Sequence, residues 1–297
     1  KSIEKPRAIM MLVPAGKVVD LVIDELKPLL DEGDLIIDGG NSYFGDTERR
    51  SLELKKQNLN FFGMGISGGE KGARFGPSMM PGGDRTAYDV MKPVLEAIAA
   101  KVNGEPCVTY IGPGASGHFV KMVHNGIEYA LMQLLAESYS FMKKGLGLPD
   151  ETIGKVFEDW DNGRLQSFLV EITADIFKFK DKDSGELLLN RIKDQARAKG
   201  TGKWTSQAAM NIQAPVTVID TSVALRDLSK LKGLRVQASK LYNNAVAVDG
   251  DQQQLLEELE NAMFFATIVT YAQGMHMLHM ASEEMETIHL IPHRYPK

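Results

Sequence analysis

From Gly117 to Ser138 the chain reads GHFVKMVHNGIEYALMQLLAES. Lys121, His124, Asn125 and Glu128 fall at i, i+3, i+4 and i+7, so on a helix they share one face. Val120, Met122, Val123, Ile127, Leu131 and Leu134 fill the other faces, and Ser116 stands where an N-cap is expected. A polar stripe on an exposed helix is a solvated face. On a helix that is apolar on most sides, polar groups must be partnered or line a cleft, because desolvating an unpaired charge is costly. Lys121 and Glu128 are about 10 Å apart along the axis at about 1.5 Å per residue. That is too far for a simple ion pair and suited to flanking a small substrate, one group taking a proton and the other giving one. A lysine amine acts as a base only if its pKa falls toward neutrality, which burial and neighbouring cations favour. His124 and Asn125 between them could hold hydroxyls or a carboxylate. Spacing alone leaves an acid/base cleft and a structural polar seam both open.

The elements before this helix alternate strand and helix. Ala8 to Val13 and Leu35 to Asp38 are apolar runs of the kind buried parallel strands show, each followed by a Gly-containing turn. Between them Val18, Leu21, Val22, Leu26 and Leu29 or Leu30 give a crossover helix over Lys17 to Leu30. Further helices are expected over Asp46 to Gln57 and Thr86 to Ala100, and strands over Leu59 to Met64, through SMMPGG, and over Val108 to Ile111. After Gly112 the pattern is helical almost throughout. The expected class is α/β plus all-α: the C-terminal part of a Rossmann-like parallel-sheet domain at 1–114, then a large helical domain at 115–297. With no Gly-rich nucleotide loop ahead of the first strand, half of a Rossmann domain is expected to be missing. No internal repeat or low-complexity tract is present.

Two G-x-G-x-x-G matches, GMGISG from Gly63 and GPGASG from Gly112, fail as dinucleotide fingerprints. The first runs into EKGARFGPSMMPGG, read as non-helical; the second opens a helix with no acid-bearing strand after it. Each reads as a tight turn, the second at the domain junction. KGTGKWT, Lys199 to Thr205, resembles a phosphate loop but has Trp204 at its Ser/Thr position and Arg197 at its leading Gly position. His276, His279 and Glu283 have metal-ligand spacing, yet their apolar neighbours favour packed core histidines over a metal.

Length and composition bound the rest. At 297 residues two domains are the prior. Hydrophobic content of 43%, 25% charge and a net charge of −5 describe an ordinary globular chain with no call for nucleic acid. An anionic substrate would need cations gathered locally. Cys107 is alone and cannot form an internal disulfide, no signal core opens the sequence, and no apolar run approaches the roughly 20 residues of a membrane span. The expected location is cytoplasmic, away from membranes.

VKMVHNGIEY closely resembles the signature helix of the 6-phosphogluconate dehydrogenase family. IIDGGNS, GISGGEKGAR and GPSMMPGG before it, and KGTGKWT and the run from Ala224 to Ser239 after it, also resemble that family in the same order, so the resemblance extends to about Thr287. It implies oxidative decarboxylation of 6-phospho-D-gluconate to D-ribulose 5-phosphate, carbon dioxide and NADPH, a step of the pentose phosphate pathway. Lys121 is then the base that removes the 3-hydroxyl proton as hydride leaves C3 for NADP. The resulting 3-keto acid loses carbon dioxide, with protonated Lys121 hydrogen-bonded to the carbonyl. Glu128 protonates C1 of the enediol. Asn41, Ser67, Gly68, Gly69, His124 and Asn125 match positions that bind the sugar acid, and Tyr129, Lys199 and Arg226 match those that hold its phosphate, with Arg235 as the alternative arginine. Val13, Pro14, Ala15 and Asn41 match the cofactor-side loops. A homodimer joined through the helical domain is also implied.

The family also has a first strand, a Gly-rich loop and an arginine for the NADP 2′-phosphate, none of which precedes Lys1. IHLIPHRYPK does not resemble the family's continuation, so His289, His293 and Arg294 receive no role. The chain therefore reads as truncated at both ends. Two rival readings are a catalytically impaired fragment that folds and binds sugar phosphate, and a non-decarboxylating β-hydroxyacid dehydrogenase, which would not need KGTGKW.

Overall fold

A computed structural model describes residues 3–198, 200–242 and 248–284; Lys199, His289, His293 and Arg294 lie outside them. The chain forms two compact units. One comprises Lys1–Asn125, Lys203–Ala214 and Met275–Lys297, the other Gly126–Gly202 and Pro215–Gly274.

The first unit is built on strands β1 (Ala8–Met11), β2 (Leu35–Asp38), β3 (Asn60–Ser67) and β4 (Ser78–Gly83), in that order across the sheet. β1, β2 and β3 are parallel, with Ala8 opposite Leu35 and Leu35 opposite Asn60, and β4 pairs antiparallel to β3. Side chains alternate between two cores, as the two-residue strand period requires. Ile36 and Phe61 pack with Val19, Ile23 and Leu54 on one face. Leu35, Ile37, Phe62 and Met64 pack with Tyr88 and Leu95 on the other. The helices supplying these covers are α1 (Lys17–Leu26), α2 (Phe44–Lys55) and, after a short exposed helix α3 (Gly69–Phe75), α4 (Arg85–Ile98). Asp84 caps α4 by accepting from the Ala87 amide at 2.8 Å. A two-residue hairpin, β5 (Lys101–Val102) and β6 (Glu105–Pro106), turns on Asn103 and Gly104, both at positive φ, as a type I′ turn demands.

Several expectations are corrected. α1 ends at Leu26 and continues only as a 3₁₀ turn over Lys27–Leu29, because Pro28 lacks an N–H and its ring crowds the preceding turn. The EKGARF segment, read as non-helical, forms α3: Gly68 at φ +128° and Gly69 at +56° reverse the chain, and Gly76 at +132° ends the helix. Val108 to Ile111 makes only isolated parallel bridges to β4, at Met79–Val108 and Gly82–Gly112. Met79 donates to the Cys107 carbonyl and Gly83 to that of Gly112, on either side of the segment, but Pro81 between them has no N–H, so a regular ladder cannot form.

Helix α5 (Ser116–Ser140) runs on from the first unit into the second and ends in a π-helical turn over Phe141–Gly145. Ser116, expected as its N-cap, is instead its first residue, and its hydroxyl donates to the Gly112 carbonyl at 2.7 Å. The second unit is helical: α6 (Asp150–Asp161), α7 (Phe168–Ile176), the start of α8 (Thr201–Asn211), α9 (Thr217–Ser229), α10 (Lys232–Leu241) and most of α11 (Gln252–Glu284). Its core gathers Leu135, Ile153, Phe157, Trp160, Val170 and Met263. Phe157 meets Trp160 edge-on at 5.3 Å and stacks on Phe177 at 5.7 Å. His276 and His279, expected in a core, are exposed, and His279 pairs with Glu283 at 3.4 Å. Among the described residues no helix is long and apolar enough to cross a membrane.

Candidate active site

In the first unit, the N-terminal half of α5 lies on β3 at a separation that only glycine permits. A methyl group on Gly63 would fall 2.5 Å from His118 Nδ1, and one on Gly65 would overlap the Lys121 Cβ and come 3.0 Å from its Cγ. The helix backbone is wedged just as closely at Gly117, where a methyl group would overlap the carbonyls of Gly63 and Met80. Gly63 and Gly65 are thus strand residues in close helix–strand contact, not the tight turn expected of GMGISG; only Gly68 turns the chain. The pairing continues to Ser67, whose Oγ lies 3.3 Å from His124 Nε2. Residues 63, 65 and 67 of the strand therefore meet 118, 121 and 124 of the helix. Each two-residue step on one face of the strand is matched by a three-residue step on one face of the helix.

Lys121 and Asn125 are buried, at 7% and 8% exposure, and His124 is half-buried. Lys121 Nζ lies 3.5 Å from His124 Nδ1, and Asn125 Oδ1 lies 3.2 Å from the same nitrogen. The two neighbours ask opposite things of that atom. With a proton on Nδ1, the ring donates to Asn125 and accepts from the Ser67 hydroxyl at Nε2. With the proton on Nε2, Nδ1 accepts from Lys121 and Nε2–H donates to Ser67. The imidazole can thus serve either neighbour, according to which ring nitrogen carries the proton.

Beneath this row lies a buried network that the sequence reading missed. Asp38, at the end of β2, accepts from the Gly40 amide at 3.0 Å and the Ser42 hydroxyl at 2.6 Å, which fixes the loop carrying exposed Asn41. Arg50 lies 3.7 Å from Asp38 and is held by Asp20 through Nε at 2.8 Å and Nη2 at 3.0 Å. The guanidiniums of Arg50 and Arg49 hold the Asp20 carboxyl down at about 2. His118 is buried, with Nδ1 2.7 Å from Thr47 Oγ1. Burial pushes its imidazole below the usual histidine range, against the pull of Asp38. Two signals were available in the sequence: His118 precedes Lys121 by three, on the face already singled out, and Gly63, Gly65 and Ser67 repeat small residues at the strand period.

The cofactor-side candidates Val13, Pro14 and Ala15 follow β1, and Asn41 follows β2, at the carboxyl ends of adjacent parallel strands. Methyl groups at Gly39 and Gly40 would strike Leu12 at 2.8 Å and the Val13 carbonyl at 3.1 Å, so these two loops are in contact. Pro14, Ala15 and Asn41 are exposed, which fits a ligand lying across the strand ends. Gly68 and Gly69 are exposed at the start of α3.

In the second unit Glu128 is half-buried and Tyr129 buried. The Arg226 guanidinium sits over the Tyr129 ring, 4.0 Å from its centroid, and its Nε donates to the Arg197 carbonyl at 3.0 Å. Gly202 lies against the same ring, where a methyl group would come within 2.6 Å. Arg235 is instead engaged by Asp194, with both Nη atoms 3.2 Å from its carboxylate. Lys199, the remaining phosphate candidate, lies outside the described residues. Within the first unit, Trp204 packs on Tyr43 at 5.3 Å and Thr205 donates to the Met122 carbonyl at 2.8 Å, so these residues of KGTGKWT brace α5.

The architecture defines a class: a Rossmann-like α/β unit whose chain passes into a large helical unit by a helix carrying a buried lysine. A 3-hydroxyisobutyrate dehydrogenase from Mycobacterium tuberculosis shares this fold at a TM-score of 0.55 and 17% identity, over 86% of this chain and 79% of that one. Within that class, residues 117–289 match the 6-phosphogluconate dehydrogenase C-terminal domain and residues 1–112 the NAD binding domain of 6-phosphogluconate dehydrogenase. The chain belongs to the 6-phosphogluconate dehydrogenase family. It is 50% identical over 288 residues to the decarboxylating 6-phosphogluconate dehydrogenase of Lactococcus lactis, covering 96% of this chain and 61% of that protein. The Plasmodium falciparum 6-phosphogluconate dehydrogenase, solved alone and with NADP+ and 6-phosphogluconate, superposes at a TM-score of 0.92 with 42% identity, over 96% of this chain and 62% of that one. The chain thus spans about three fifths of the length of the relatives it matches.

Proposed function

We propose that this chain carries the residues for NADP-dependent oxidative decarboxylation of 6-phosphogluconate to ribulose 5-phosphate, acting in the cytoplasm. The observation that carries the reading is the buried Lys121 amine beside His124, which is tied in turn to Ser67 and Asn125. Lys121 takes the proton of the substrate 3-hydroxyl. The 3-keto acid that results loses carbon dioxide because its carbonyl accepts the electron pair, and Lys121, now an ammonium, hydrogen-bonds that oxygen. Glu128 delivers a proton to C1 of the enediol. Ser67, Gly68, Gly69, His124, Asn125 and Asn41 hold the sugar acid, while Arg226, Tyr129 and Lys199 hold the phosphate. Val13, Pro14, Ala15 and Asn41 would hold NADP, which when bound supplies the hydride acceptor. In domain terms, residues 1–114 form the nucleotide-binding domain and 115–297 the substrate and dimerisation domain. Exposed Phe265, Ile268 and Tyr271 on α11 support a homodimer.

The test is incubation with 6-phosphogluconate and NADP while reduced-cofactor absorbance and released carbon dioxide are followed together. Both signals in equal amounts are expected. Reduction without carbon dioxide would favour a simple hydroxyacid dehydrogenase. Neither signal, from a folded chain that still binds 6-phosphogluconate, would mark an impaired fragment.

A further inference from the structure

His118 is a buried imidazole for which the chemistry above has no use. It faces Gly63 and lies three residues before Lys121, just as Gly63 lies one same-face step along β3 before Gly65, which Lys121 faces. We propose that His118 is a positioning residue: locked between Thr47 and the notch at Gly63, it sets the rotation and depth of α5 and so the place from which the Lys121 amine acts. The proposal rests on the reading of Lys121 as the base.

Three observations carry it. First, the 2.7 Å contact between His118 Nδ1 and Thr47 Oγ1 ties α5 to α2, an element that is itself tied to α1 through Arg50 and Asp20. Second, the fit at Gly63 leaves the ring no room to swing toward the strand: the position a methyl group would occupy there is 2.5 Å from Nδ1 and 2.8 Å from Cε1. Third, Lys121 follows one helical turn later in the next notch, with its Cβ and Cγ against Gly65 and only its outer stem free to vary. A helix that rotates or lifts at His118 therefore carries the Lys121 stem with it.

The charged groups around the ring are Asp38 and Arg50. Their opposite signs and the full burial of His118 favour the neutral imidazole. Nδ1 meets the Thr47 hydroxyl in either tautomer, because that oxygen can donate to Nδ1 or accept from it while donating to the Tyr43 carbonyl at 3.3 Å. The lock is therefore uncharged and constant across the pH range in which Lys121 would have to exchange its proton.

Thr47→Val, His118→Leu and His118→Asn in the 297-residue chain test this. The readouts are thermal unfolding, kcat and KM with 6-phosphogluconate and NADP, and the pH dependence of Lys121 acylation by acetic anhydride, followed by mass spectrometry. Thr47→Val keeps the side-chain volume and removes the hydroxyl that meets Nδ1. It should lower kcat roughly tenfold or more with KM within about threefold, since a 1 Å displacement can cost about a hundredfold. It should also shift the acylation profile of Lys121. His118→Asn, whose side-chain amide can meet the Thr47 hydroxyl in place of Nδ1 as donor or acceptor, should recover much of the rate that His118→Leu loses. A folded Thr47→Val protein with unchanged kcat and an unchanged acylation profile would overturn the proposal. If His118→Leu does not fold, Thr47→Val decides alone. If the unsubstituted chain shows no turnover, the reading of an active enzyme fails separately and the chain is an impaired fragment. The acylation profile then judges the positioning: a shift in Thr47→Val retains it and no shift removes it.

Discussion

The two units hold their polar candidates by different means. In the first, Lys121, His124, Asn125 and Ser67 are joined to one another in a row laid on β3, with Lys121 and Asn125 buried. In the second, Arg226 rests on the face of Tyr129 and a backbone carbonyl, and Gly202 makes room for that ring. A group that must exchange a proton needs its hydrogen-bond partners and its distance to the reacting atom fixed. A cation that grips a phosphate needs reach and charge, and an aromatic face supports it without neutralising it. The first arrangement should therefore fail in rate and the second in affinity.

Removing Lys121 should give the largest effect. Lys121→Ala is expected to lower kcat by about 10² to 10⁴ while leaving the unfolding transition cooperative, as loss of a general base does. A near-normal rate in that variant would remove the contrast between the units. Next, Arg226→Ala should raise KM for 6-phosphogluconate by roughly tenfold to a hundredfold with kcat little changed, the size of a lost charge-assisted hydrogen bond. A kcat loss larger than the KM rise would place Arg226 with the rate-determining group instead.

Smaller effects separate the packing. Gly65→Ala puts a methyl group into the Lys121 stem and should cost about 1–3 kcal/mol in urea unfolding, as overpacking does. Gly233 in α10 of the second unit has open space around it, so Gly233→Ala should stabilise by about 0.5–1 kcal/mol. The last difference appears only in acid. The Asp20 carboxyl sits at about 2 in the folded protein against an ordinary 3.8. Its lowered value means that its contribution is fully present above about pH 4 and is lost as pH falls through about 2. Asp20→Asn should flatten the acid limb of the stability curve and leave neutral pH behaviour to the other contacts.

Much of this was legible in the sequence. The strand runs at Ala8 and Leu35 and the stripe from Lys121 to Glu128 were plain, because burial on both faces of a sheet and the helical period leave direct marks on residue order. The closeness of α5 to β3 was not, since a glycine in a strand signals that something approaches without saying what. GMGISG looked like a nucleotide loop or a turn for that reason. His118 was overlooked because its role depends on Thr47, far away in sequence, and on the missing side chain at Gly63. The helix at EKGARF was hidden by its own glycines, whose left-handed conformations at both ends define it. Exposed His276 and His279 show the converse error: apolar neighbours on a long helix do not say which face is covered.

The pairing of 63, 65 and 67 with 118, 121 and 124 also restricts where this chain can change in length. One residue inserted between His118 and Lys121 would turn everything after it by about 100°, and one inserted between Gly63 and Gly65 would send Ser67 to the opposite side of the sheet. Both segments are thus closed to insertion. Length can vary in the connection between them, above all at the Asn103–Gly104 turn, where both residues are exposed and nothing stands within 4 Å of a side chain added at Gly104. A peptide tag or reporter domain placed at that turn should leave the Lys121 row undisturbed.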